Sequence, residues 1–101
     1  MNELSKKQRR YLDKQAHHLD PVVWIGKQGL SAPVIKSVSE ALGHHELIKV
    51  KFGEHKDERR ELSEKMAGET GAQIVRIIGN ITILYKQQPE AEKRKITLPE
   101  E

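Results

Sequence analysis

The chain has 101 residues, 33 % of them charged and 36 % hydrophobic, with a net charge of +3 and no cysteine. That length suits one domain around one modest core, and the missing thiols exclude disulfides, thiolate metal sites and cysteine nucleophiles. The amino terminus lacks the apolar stretch of a signal peptide, and the longest apolar run is four residues, far below the ~18 that span a bilayer, so a cytoplasmic protein without a membrane partner is expected.

Ser5 and Gln8 have capping-box spacing ahead of a segment in which Leu12, Ala16 and Leu19 repeat at helical intervals. The spacing predicts an amphipathic helix over 5–19, with His17 and His18 in its last turn and Asp20-Pro21 stopping it. Lys6, Lys7, Arg9, Arg10 and Lys14 cover its outer surface. Val22 to Ile25 reads as a short buried strand, followed by the turn Gly26-Lys27-Gln28-Gly29. Ser31 then caps a second helix, with Pro33 in the first turn, inward Val34, Ile35, Val38, Ala41 and Leu42, and Gly43 as its end.

Residues 46–52 read as a strand in which Ile48, Val50 and Phe52 face a core while Lys49 and Lys51 point away. Residues 57–69 are helical by propensity, with Leu62, Met66 and Ala67 inward and Gly71 as the stop. Residues 73–78 and 81–85 form a hairpin through Gly79-Asn80. Residues 1–86 thus make one domain, and the polar segment 87–101 is expected to be loose. The order α-β-α-β-α-β-β predicts an α/β two-layer sandwich: a mixed four-stranded sheet, both crossovers giving parallel pairs, and the helices packed on one face.

Positive charge is concentrated in the first half: residues 1–20 hold five Lys or Arg against three acids, whereas residues 52–70 hold four against six. Such asymmetry suits a face that meets a polyanion. The Gly26–Gly29 corner adds a second feature. Its glycines let a phosphate or sugar approach the backbone, amides at a helix start are free to bind it, and Lys27 contributes a mobile charge. A tight turn needing glycine is the plain alternative. The corner is not a nucleoside-triphosphate loop, because Gly-Lys-Ser/Thr is missing, nor a dinucleotide fingerprint, which needs a third glycine.

Trp24 is the sole tryptophan, two residues before the turn. A core position is its ordinary use; a partly exposed ring able to stack on an unpaired base is the alternative. The five histidines have no metal-ligand spacing, and no nucleophile motif such as Gly-x-Ser-x-Gly is present. No metal, cofactor, small-molecule substrate or catalytic residue is therefore expected.

Three stretches taken together, Ile-Gly-Lys-x-Gly, His-Glu-Leu-Ile-Lys-Val-Lys and the closing Ile-Gly…Leu-Tyr-Lys, resemble the CRM domain (chloroplast RNA splicing and ribosome maturation), in its stand-alone bacterial YhbY-type form. The resemblance runs over roughly residues 4–86. It implies a fold similar to the carboxy-terminal domain of translation initiation factor three, and RNA binding through a GxxG loop. It also implies precursors of the large ribosomal subunit as the target. Carried over, Gly26, Lys27, Gln28 and Gly29 form that loop and Lys6 to Lys14 the basic first helix. Trp24, Lys49 and Lys51 are further RNA-facing candidates, a monomer is the favoured state, and a module docking on a ribosomal protein or assembly factor is the alternative function. Trp24 stands where many members have a polar residue.

Overall fold

The computed structural model describes residues 3–100. Helix α1 spans Lys6–Ala16, strand β1 Pro21–Ile25, helix α2 Ala32–His45 and strand β2 Leu47–Phe52. Helix α3 spans Arg59–Thr70 after a short 3-10 turn, and strands β3 (Gln73–Ile78) and β4 (Ile81–Tyr85) close the sheet. All seven expected elements are present in the expected order. Among the described residues no helix is long and apolar enough to cross a membrane.

Local chemistry explains the starts and stops. The capping box at α1 is complete: Ser5 Oγ accepts from the Gln8 amide at 3.1 Å, and Gln8 Oε1 accepts from the Ser5 amide at 3.0 Å. The helix ends three residues before the expected Leu19. The His17 amide tightens onto the Lys14 carbonyl at 3.3 Å, and Leu19 stays partly exposed instead of entering the core. Helix α2 passes through Gly43, its expected end, and stops at Glu46, which adopts φ 61°. Glu46 is therefore a cap residue rather than the start of β2. Gly79, with φ 55°, supplies the turn of the β3–β4 hairpin.

The sheet order is β1-β2-β4-β3, with β1 and β2 parallel and the other pairs antiparallel. The β1-α2-β2 crossover gives the expected parallel pair. Across α3 the outcome differs, because β4 lies between β2 and β3. Burial explains the insertion: Thr82 to Tyr85 are all buried, so β4 suits the middle of the sheet, while β3 carries exposed Arg76 and Ile78 and suits an edge.

The helices occupy both faces, which corrects the expected packing on one. Val23 and Ile25 of β1, Ile48, Val50 and Phe52 of β2 and Leu84 of β4 meet α2 and α3 through Val38, Leu42, Met66 and Ala67. On the opposite face Leu47, Val75, Ile83 and Tyr85 meet Leu12 and Ala16 of α1. The physical reason is that β4 is apolar on both sides and needs two covers. A buried hydroxyl pair, Ser63 with Thr82 at 2.7 Å, satisfies the polar atoms under α3.

In the described part of segment 87–101, expected to be loose, Gln88 donates its side-chain amide to the Gly43 carbonyl at the end of α2, and the chain then runs on to the α1 face. Ile96 and Leu98 pack on the second core, and the Gln8 side-chain amide donates to the Pro99 carbonyl at 3.1 Å. Glu46, fully buried, accepts the amides of Gln88 (2.8 Å), Lys95 (2.6 Å) and Ile96 (3.0 Å). Three donors make a buried carboxylate tolerable. Burial, reinforced by the charge of Glu46, pushes the phenol of Tyr85 up to about 12.

Candidate nucleic-acid interface

At the end of β1 the chain turns through Gly26–Gly29, closed by the Gly29 amide donating to the Gly26 carbonyl at 3.0 Å. Gly29 has φ 65°, the left-handed conformation that disfavours side chains. Gly26 does not; a Cβ there would meet nothing within 4 Å. Its missing side chain leaves the outer surface of the turn open rather than permitting a strained backbone. Within the described chain the amides of Lys27 and Gln28, at the turn's apex, make no hydrogen bond, and both residues are exposed. Two free donors in a turn that also carries a lysine suit an anionic oxygen.

Helix α2 begins after Ser31, as expected, and not at the turn itself. Leu30 and Ser31 intervene, and Ser31 caps the helix by position without a side-chain hydrogen bond, followed by Pro33. The free amides of the turn and the dipole of α2 are therefore neighbours in sequence, not one continuous helix start.

A second loop holds the turn from behind. The amides of Gly53 and Glu54 both donate to the Ile25 carbonyl, at 2.9 and 3.1 Å. His55, held at φ 58°, places Nε2 2.9 Å from the Lys27 carbonyl oxygen. A carbonyl can only accept, so His55 donates. Its Nδ1 lies 3.5 Å from Glu58. The Lys27 carbonyl is the main cause of a His55 pKa above the usual 6.5; desolvation opposes it, and Glu58 and Glu54 reinforce it. His55 is the residue of the candidate site that sequence reasoning missed, because only the parallel pairing of β1 with β2 brings it to the turn.

Trp24 is 56 % exposed, so the core reading of this residue is overturned. Val23 and Ile25 take the buried positions of β1, which turns Trp24 to the other face. Lys51 pairs with it in register and is exposed; Lys49, nearer the cover of α1, is half-buried. The turn, Trp24 and Lys51 thus share one end of the sheet.

The basic helix lies elsewhere. The Leu4 amide donates to Gln73 Oε1 at 2.9 Å, Arg9 donates to the Ile74 carbonyl, and Asp13 pairs with Arg76 at 2.9 Å. These contacts tie α1 and the residues before it to β3, the sheet edge opposite β1. Arg9 is occupied in fixing the helix, whereas Lys6, Lys7, Arg10 and Lys14 are exposed. Residues expected to act as one patch form two surfaces. His17 with His18 and His44 with His45 make ring pairs at 5.8 and 6.3 Å, and among the described residues no three His, Asp or Glu side chains converge as a metal site would require.

The chain is 43 % identical over 100 residues to a Haemophilus influenzae protein named "RNA-binding protein", covering 98 % of each. It is 37 % identical over 97 residues to the Bacillus subtilis "Probable RNA-binding protein YqeI", covering 95 % of this chain and 99 % of that one. The solution structure of the Staphylococcus aureus protein SAV1595 superposes with a TM-score of 0.80 at 36 % identity, covering 96 % of this chain and all of the other. A family model described as the CRS1 / YhbY (CRM) domain matches residues 4–86. The chain belongs to the CRS1/YhbY (CRM) domain family.

Proposed function

We propose that this protein binds RNA, holding the sugar-phosphate backbone at the Gly26–Gly29 turn, and that its target is ribosomal RNA in precursors of the large subunit. The observation that carries the binding mode is the turn itself. The Lys27 and Gln28 amides are free, Gly26 leaves the approach open, and His55 fixes the Lys27 backbone from behind. Lys27 and Lys51 supply charge at this end of the sheet. The exposed Lys6, Lys7, Arg10 and Lys14 on α1 offer a second, weaker grip on a large RNA. The naming of the relatives as RNA-binding proteins supports the partner class, and the ribosomal target rests on the family resemblance.

Cross-linking the protein to RNA in cells and sequencing the fragments tests the target: enrichment of large-subunit precursor sequences is expected, and a dispersed messenger-RNA signal would refute it. A module that docks on a ribosomal protein would keep co-sedimenting with precursors after nuclease treatment; an RNA-held protein is released.

A further inference from the structure

We propose that a row of four side chains crossing the sheet beside the turn, Trp24–Lys51–Ile81–Ile78, is a stacking platform for unpaired bases, so that the RNA bound is single-stranded or looped rather than duplex. The inference deepens the proposed function and rests on the turn holding an RNA backbone.

The row follows from the strand registers. Trp24 of β1 lies opposite Lys51 of β2, Lys51 opposite Ile81 of β4, and Ile81 opposite Ile78 of β3. Each strand gives one residue to the same face, over three inter-strand spacings of ~4.8 Å, or about 14 Å. One row further from the turn, Ile83 is buried under α1 and Arg76 is paired with Asp13. In the Trp24 row only Ile81 still packs against the core under α1. Trp24 and Ile78 stay 56 % and 46 % exposed, Lys51 is exposed and Ile81 half-buried. A sheet face left to water ordinarily presents polar side chains. Three apolar residues in line, one of them the sole tryptophan, call for an occupant.

Charge and continuity favour RNA as that occupant. The row holds a lysine and no acid. It also begins two residues before Gly26, about 7 Å along the strand, so a backbone held at the turn delivers its bases onto the row. A flat indole accepts any base by stacking, with Lys51 placed for the phosphate of the next nucleotide. Duplex RNA keeps its bases paired and out of reach of such a platform. A second copy of this chain seated on the apolar row is the competing occupant.

Because Trp24 is the only tryptophan, its fluorescence reports the row directly. The full chain is titrated with a dye-labelled uridine oligonucleotide and with a dye-labelled RNA duplex of equal total phosphate, using wild type, Trp24→Phe, Trp24→Ala and Lys27→Glu. Tryptophan quenching is read in the two proteins that keep Trp24, affinity is read in all four from the anisotropy of the labelled RNA, and circular dichroism is the folding control. The expected result is quenching by the single strand and little by the duplex. Single-strand affinity should fall roughly 5- to 150-fold in Trp24→Ala, with most of it retained in Trp24→Phe and duplex affinity unchanged. Equal single-strand affinity in Trp24→Ala while Lys27→Glu loses it would overturn the platform and leave the turn standing. Loss in Trp24→Ala with Lys27→Glu unaffected would refute the turn instead. Emission that shifts with protein concentration in the absence of RNA would assign the row to self-association and overturn the proposal.

Discussion

Replacing Glu46 tests how the fold holds its own C-terminal segment. The carboxylate is fully buried and accepts three amides from Gln88, Lys95 and Ile96. Hydrogen bonds to a charged acceptor contribute ~1.5–3 kcal/mol each, which sets a gross bound of roughly 5–9 kcal/mol. Most of that is not lost in Glu46→Ala, because the released amides rehydrate once the segment lifts away. What remains is the cost of undocking Ile96 and Leu98 and of leaving the pocket empty, about 2–4 kcal/mol. For a domain of this size the midpoint should fall by roughly 10–25 °C. Glu46→Gly should lose about 1 kcal/mol less than Glu46→Ala, since the native φ of 61° strains alanine and not glycine. Thermal and urea unfolding measure these differences, and limited proteolysis after Tyr85 reports undocking. A Glu46→Ala protein within ~0.5 kcal/mol of wild type, below the usual cost of losing even one charge-assisted bond, would refute the reasoning.

The two glycines of the turn should respond differently. Gly26→Ala should leave unfolding unchanged, since its side chain meets open space, yet weaken RNA binding; unchanged affinity would show that nothing approaches the backbone there. Gly29→Ala should instead destabilise by about 1 kcal/mol through its positive φ of 65°. His55 gives the pH dependence. Its folded-state pKa is raised above 6.5, so its contribution is fully present below pH 6.5 and is lost as pH rises through the folded value. RNA affinity and thermal stability should both fall over that interval in wild type, and Gln in place of His55 should flatten the stability difference. An identical pH profile in His55→Gln would remove the imidazole from the account.

Much of the fold is legible in short-range chemistry. Ser5 and Gln8 announce the start of α1, Gly79-Asn80 the hairpin, and the alternation of Ile48, Val50 and Phe52 the buried face of β2. What escapes depends on residues far apart in sequence. Gly43 looks like a helix end, but the true stop is Glu46, whose strained φ is held by amides more than forty residues away. In β4 nearly every residue is apolar, so no alternation reveals that both faces need a cover and that α1 lies opposite the other helices. The same ambiguity hid Trp24: Val22 to Ile25 is apolar throughout, and only pairing with β2 decides which pair turns inward. Of the site, the Gly26–Gly29 turn was readable from its residues. His55 and the separation of α1 from the turn were not, because both follow from sheet topology.

The most direct test of the central claim is the salt dependence of RNA binding in wild type and in Lys27→Glu. If three phosphates are neutralised, log K should fall against log salt with a slope near −2, since each contributes about −0.7 on a single strand. Lys27→Glu should weaken binding about tenfold or more at low salt, a loss of about 1.4 kcal/mol. Its slope should be shallower by about 0.7, with thermal unfolding unchanged because Lys27 is exposed. Equal affinity and equal slope in the two proteins would contradict the assignment of the turn to RNA.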